Sequence, residues 1–152
     1  MIGTTIDGEF FFNLESNVGP GQRNAMDDFQ LVQLGFYFRA RDPAGKPLSE
    51  AERAVYSAVK PTSDYTGQPN HPLSIAIVTY QRARGGTQDG IVSVLPAHSP
   101  VSYGKNHHRI IALLQVSIRL ATRDYWPRID KHPVCPYNLQ TAVWRICGSP
   151  LT

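Results

Sequence analysis

Val18-Gly19-Pro20-Gly21-Gln22-Arg23-Asn24 reads as a glycine turn, and Asp27-Asp28-Phe29-Gln30-Leu31-Val32-Gln33-Leu34 as the helix it feeds. The turn itself lies in Asn17 to Gly21. Asn24 carries the side chain of a helix cap. Asp27 and Asp28 place negative charge in the first turn, where the helix dipole favours it. Phe29, Val32 and Phe36 recur at helical spacing, and Leu31, Leu34 and Phe38 widen the apolar face. This first helix is expected to run to about Ala40.

Upstream, Ile6 to Leu14 holds Phe10-Phe11-Phe12 and reads as a short strand or extended arm on the core. Downstream, Asp42-Pro43-Ala44-Gly45 is a turn, and Ser49 with Glu52 forms a capping-box pattern. That box opens a helix of about ten residues, with Ala51, Val55 and Ala58 on one face and Pro61 as its stop. Thr62 to Asn70 is a polar loop. Pro72 suits the first turn of a third helix carrying Leu73, Ala76, Ile77 and Tyr80, which Gly85-Gly86 stops. Asp89-Gly90 is a tight turn, with Ile91 to Val94 extended behind it. Pro96 to Lys105 is a loop. A long fourth helix is expected from about Asn106 to Tyr125, buried through Ile111, Leu114, Ile118 and Ala121 and closed by Trp126-Pro127. Asp130 to Tyr137 is irregular. Asn138 caps a fifth helix from Leu139 to about Cys147, with Ala142, Val143 and Ile146 inward and Gly148 as its stop.

Two of these stretches together resemble the peptidoglycan-binding domain family. In the first, a glycine turn and an Asn lead into Asp28-Phe29-x-x-Val32-Gln33 and Leu34. In the second, Ala76-Ile77-x-x-Tyr80-Gln81 is followed by Gly85 and then Asp89-Gly90-Ile91-Val92. The pattern has a physical sense. Each Val-Gln or Tyr-Gln pair sends one side chain into the core, while the adjacent amide satisfies a loop carbonyl. The Asp-Gly turn needs positive φ, which glycine adopts without strain. The resemblance covers roughly residues 18–95. It departs from the family at Tyr65 to Pro72, which keeps one glycine of the usual middle turn. It departs again at Pro43 to Lys60, which is expanded, and at Val92 to Pro96, which replaces the usual ending. The expected fold is mainly α: a compact orthogonal helical bundle with a short N-terminal strand. One domain is expected over residues 1–152, with a core at 18–95 and a helical extension at 96–152 packed on it.

Composition bounds the function. The chain has 152 residues, of which 41% are hydrophobic, enough for one domain with a real core. Fifteen Lys and Arg against 12 Asp and Glu give a net charge of +3. No basic block accompanies it, so no nucleic-acid partner is expected. The start, Met1 to Gly8, lacks a basic segment followed by an apolar run, so a chain cytoplasmic as synthesised is expected, or one mature after processing, or one exported without a cleaved signal. The apolar run Ile110 to Ala121 is broken by Gln115, Ser117 and Arg119, so membrane insertion is not expected. Cys135 and Cys147 are read as buried reduced thiols, with a single bridge as the alternative.

The resemblance implies a shallow binding groove rather than a catalytic centre, and no cofactor. Its matching positions are Tyr65, Gln68, Asn70, Tyr80, Arg84 and Asp89. Aromatic faces suit sugar rings, and Arg suits the carboxylates of stem peptides. Tyr80 as a core residue and Asp89 as a plain turn residue are the competing assignments. His71, His98, His107, His108 and His132 contain no His-Glu-x-x-His, and His132-x-x-Cys135 is the one spacing of interest for a metal or a thiolate. No Gly-x-Ser-x-Gly elbow occurs. The implied partner is peptidoglycan, through its glycan or its stem peptide. The implied setting is the cell wall, as an accessory of an exported machine such as type VI secretion or a phage tail. A protein–protein adaptor, chaperone or immunity protein on the same scaffold is the alternative, and a wall hydrolase a third.

Overall fold

The computed structural model describes residues 1–6, 8–41, 47–95, 102–103, 107–108 and 110–149. A hairpin opens the chain, with β1 (Ile2–Ile6) antiparallel to β2 (Glu9–Asn13) in the register Gly3 to Phe12 and Thr4 to Phe11. Then follow α1 (Met26–Arg41), α2 (Glu50–Ser57) and α3 (Pro72–Arg84). A small second hairpin pairs β3 (Ser102–Tyr103) with β4 (His107–His108). After it come α4 (Ile110–Ala121), a single 3-10 turn at Ile129–Lys131 and α5 (Tyr137–Cys147). The chain is thus mainly helical, a compact bundle with a short two-stranded sheet at its N-terminus and helices at its C-terminus.

Helix α1 is the hub. It buries Phe29, Leu31, Val32, Leu34, Phe36 and Phe38, which is more than one face. Such a helix must be surrounded, and α2, α4 and α5 pack against it. Helices α1 and α4 approach closely at Gly35. A Cβ there would lie 2.6 Å from Leu114 Cβ, so the missing side chain is what lets α4 settle on α1. Helix α3 meets α1 through side chains, Phe36 edge-on to Tyr80 with ring centroids 5.8 Å apart, and α2 wedges Tyr56 against both rings. One continuous core runs from Phe12 through α1 and α3 to Val143, so residues from 18–95 and from 96–152 share it.

Local signals held where they act within a few residues. The Ser49–Glu52 box is formed in both directions, with Ser49 Oγ accepting from Glu52 N at 3.1 Å. Pro72 is at the first position of α3, and Gly85 ends that helix at φ 72°. Several expectations failed. Asn24 does not cap α1. Its backbone is left-handed (φ 52°) and its buried amide bonds Gly19 instead. Asn138 does not cap α5, which begins at Tyr137 after Pro136, two residues before the expected start at Leu139. The buried residue of α2 is Tyr56, with Val55 partly buried against the core and Val59 buried just beyond the helix, while Ala51 and Ala58 are exposed. The helix also ends at Ser57, short of Pro61. Helix α4 starts at Ile110, because His107 and His108 are in a strand, and it stops at Ala121. Ala121 is exposed, and Thr122 is buried in its place, its hydroxyl returning to Ile118 O at 2.7 Å. The N-terminal strand is a hairpin whose first arm, Ile2–Ile6, was not anticipated. The turn at Asp42 to Gly45 lies outside the described residues.

Where the C-terminal segment meets the core, Asp130 is nearly enclosed, its side chain 3% exposed. Arg128 grips it with Nε and Nη2 at 2.9 and 2.8 Å, and Trp144 Nε1 adds a third donor at 2.9 Å. Burial alone would raise this carboxyl, but the hydrogen bonds from Arg128 and Trp144 outweigh it and hold it below the ordinary value. A depressed folded-state pKa contributes stability above the unfolded value near 3.8 and loses it as pH falls through the folded one. The midpoint of unfolding should therefore drop below pH 4 in the native protein. In Asp130→Asn the part of that drop due to this group should vanish, which thermal melts between pH 2.5 and 7 would read.

Candidate functional site

Three loops close on one another around three glycines. Residues 17–24 form the first. Asn24 staples it, its Oδ1 accepting from Gly19 N and its Nδ2 donating to Gly19 O, both at 2.8 Å, and to Gln22 O at 2.9 Å. Residues 88–92 form the second. Gln81, on α3, holds it: Oε1 accepts from Gly90 N at 2.9 Å, while Nε2 donates to Asp89 Oδ1 at 2.9 Å and Ile91 O at 3.2 Å. Asp89 Oδ1 also accepts from Ile91 N at 3.0 Å, and Gly90 takes φ 73°. A short bridge joins the two loops, Val92 N to Val18 O at 2.8 Å and Val18 N to Val92 O at 3.0 Å. Gly19 lies so close to the carbonyl of Gly90 that a Cβ there would strike it.

Residues 62–71 form the third loop, anchored from α1. Gln33 accepts from Thr62 N at 2.9 Å and donates to Thr62 Oγ1 at 2.8 Å, while Gln30 donates to Thr62 O at 2.9 Å. Gly67, at φ 91°, is pressed on the first loop: a Cβ would meet Gly19 O, Asn24 Nδ2 and Pro20 Cα at 3.0 to 3.1 Å. The amide beside each core residue thus ties down a loop, Gln81 through the Ile91 carbonyl as expected, but Gln33 through the Thr62 N–H and hydroxyl, the Thr62 carbonyl going to Gln30 instead. Val32 and Tyr80 are buried, and Gln33 and Gln81 each tie down a loop.

The six expected site residues divide. Tyr65 and Tyr80 are core residues, 2% and 6% exposed. Tyr65 hydroxyl bonds Ser74 Oγ at 2.7 Å, and its ring stands edge-on to Phe29. Neither ring offers a face to a sugar. Gln68 spends its amide inside its own loop, accepting from Thr66 N and donating to Asp64 O. Asp89 builds its turn. Asn70 and Arg84 are exposed, but α3 separates them by about 20 Å, at 1.5 Å per residue over 13 residues. They cannot share one small ligand.

Two residues beside Asn70 were missed. Asp64, its side chain 71% exposed, accepts from or pairs with His71 Nε2 at 3.0 Å. The other ring nitrogen of His71 caps α3, accepting from Leu73 N at 3.1 Å. Hydrogen bonds from Thr62 and then His71 hold the Asp64 carboxyl below its ordinary value, so it stays an anion at neutral pH. A His seven residues after an Asp, directly before Pro72, is the sequence signal that could have found the pair. The rim at this end therefore presents a carboxylate, the Asn70 amide and Pro20-Gly21-Gln22 across Gly67.

Comparison with family profiles, curated proteins and solved structures gave no match.

The reactive-thiol and metal readings lose their geometry. Cys135 is buried, and burial with the nearby Asp130 charge pushes its thiol up to about 12. His132 turns its Nδ1 to Val134 N and its ring edge-on to Phe38, not to Cys135. Both cysteines are unbridged, with Cys147 only half-buried. Among the described residues no three His, Cys, Asp or Glu side chains are placed to hold a metal. Nor is any described helix long and apolar enough to cross a membrane. His98 lies outside the described residues.

Proposed function

We propose that this chain is a non-catalytic peptidoglycan-binding module whose ligand sits on the rim at the start of α3. The observation that carries this reading is the pair of helix-borne glutamines, Gln33 and Gln81. Each pins a loop to the same glycine-lined corner, as the resemblance to the cell-wall-binding family implies. Asp64 suits an ammonium group of a stem peptide, and Asn70 suits amide or sugar hydroxyl groups. Arg84 serves the far end of α3, against a carboxylate of a longer strand. Service as an accessory of an exported machine such as type VI secretion or a phage tail belongs to the same proposal.

Insoluble peptidoglycan should retain the protein, and soluble muropeptides should compete it off. Asp64→Ala combined with Asn70→Ala should weaken retention roughly tenfold, the worth of one charge-assisted hydrogen bond, while the fold survives. Equal retention of the two proteins, or retention of neither, would sink this reading.

A protein–protein adaptor is the second reading. Helix α4 favours it, because Val116 and Leu120 are 53% and 46% exposed one turn apart on its outer side.

A further inference from the structure

The N-terminal hairpin has one edge covered and one edge that no described residue pairs with. Gln115, buried on α4, accepts from Phe12 N at 2.8 Å and donates to Phe12 O at 2.7 Å, so this side chain stands where a third strand would beside β2. Both backbone groups of Phe12 therefore point away from β1, and Gly3 opposite Phe12 is a non-hydrogen-bonded pair. Antiparallel pairs alternate, so Thr5 opposite Phe10 is another, whereas Thr4 and Phe11 exchange the ladder bonds. The N–H and C=O of Gly3 and Thr5 consequently face outward from β1. No hydrogen bond reaches them among the described residues.

Strand edges of this kind are usually blunted by charge, proline or a bulge. Ile2-Gly3-Thr4-Thr5-Ile6 has no charge and no proline, and its register with β2 runs without a bulge. Gly3 and Thr5 are exposed, and Ile2 is 43% exposed. At Gly3 the strand has no room for a side chain of its own. A side chain there would overlap Ile146 at 2.7 Å and Phe10 at 3.0 Å, and an open concavity beside it is lined by Thr5, Phe10, Arg145 and Ile146.

We propose that the free edge of β1 pairs with β1 of a second copy of this chain. The register is self-complementary. With Thr4 opposite Thr4 on a two-fold axis, Gly3 of each strand faces Thr5 of the other, and the four residues whose backbone groups lack partners satisfy one another. Thr5 then comes opposite Gly3, on the side of the open concavity lined by Phe10, Arg145 and Ile146. Two copies do not repel, because the strand is uncharged. The product is a continuous sheet in the order β2, β1, β1, β2. A five-residue strand pair falls well short of the roughly 1,200 Å² of a stable complex, so the dimer should be weak, forming near about 100 μM.

Sedimentation of the whole chain over a concentration series tests this, together with amide exchange read by NMR. The mass should rise towards the dimer. The Gly3 and Thr5 amides should exchange about tenfold more slowly at high than at low concentration, while the Thr4 amide, already in the ladder, changes little. Thr5→Pro should stay monomeric with its melting temperature preserved, because the N–H it removes is outside the β1–β2 ladder and an outward edge position accepts proline. A protein that stays monomeric, or equal exchange of both amides at the two concentrations, would overturn the proposal. So would protection that appears only with an added unrelated extended peptide. The exchange readout uses the native protein and stands even if Thr5→Pro does not fold.

Discussion

Gly35→Val is expected to cost about 3 kcal/mol or more, a loss of roughly 10 °C in melting temperature for a domain of this size. The reason is the crossing of α1 and α4. A Cβ at position 35 would lie 2.6 Å from Leu114 Cβ and 3.3 Å from its Cγ, in the fully buried seam between the two helices. Alanine brings the same atom with less bulk. Its better helix propensity, about 1 kcal/mol over glycine, should offset only part of the overlap, so Gly35→Ala should still destabilise. One further outcome is specific to this geometry. Leu114→Ala should not rescue either variant, because alanine keeps the Cβ that is struck. Urea unfolding of the three single variants and the two pairs would decide it. A Gly35→Ala protein more stable than the parent would show that the helices are not in contact there.

That glycine also shows where sequence reading stops. Gly35 sits inside a clear apolar helical pattern, and nothing within ten residues says that Leu114 lies against it. The elements that were legible obey short-range chemistry: the Ser49–Glu52 box, Pro72 at the start of α3, Gly85 at its end, and the left-handed Gly90. Tertiary contact overrode the rest. Asn24 has the right side chain for a cap, but a side-chain amide can also serve both backbone groups of Gly19, and the crowding of Gly19 against Gly90 and Gly67 makes that loop the better use of it. Of the face expected for α2, Val55 packs against the core while Ala51 and Ala58 are exposed, and Tyr56 anchors the eight-residue helix between Phe36 and Tyr80. The candidate site divides in the same way. The glutamines that build the corner were found because their spacing from core residues is local. Tyr65 was misplaced as a ligand contact, and Tyr80 was left open between ligand and core before proving to be core, because an aromatic in a loop or at a helix end looks alike whether it faces water or the core. The Asp64–His71 pair was passed over because each residue taken singly looks like loop polarity.

Asp28→Ala should cost about 3–4 kcal/mol, near the lower end of the range for breaking a buried charge network. Asp28 is fully buried at the start of α1, where the dipole already favours its charge. Its two oxygens collect donors from a different segment. Glu15 N lies at 3.2 Å from Oδ1, and Ser16 N and Ser16 Oγ lie at 3.0 and 2.9 Å from Oδ2. The Met1 ammonium is 2.9 Å from Oδ1, and Asp27 shares it at 2.8 Å. Burial by itself raises the Asp27 carboxyl, but the ammonium beside it, with Arg145, brings it below the ordinary value. After Asp28→Ala the ammonium keeps Asp27, so the main loss falls on the backbone N–H groups of Glu15 and Ser16, whose acceptor is the Asp28 carboxylate. Those two residues carry the chain from β2 into the glycine corner, so the loss should appear first as faster amide exchange at Glu15 and Ser16 and only then as lower global stability. Asp28→Asn retains one acceptor oxygen and should recover about half of the deficit. If the alanine variant melts within about 2 °C of the parent, the carboxylate is not what joins the hairpin to α1.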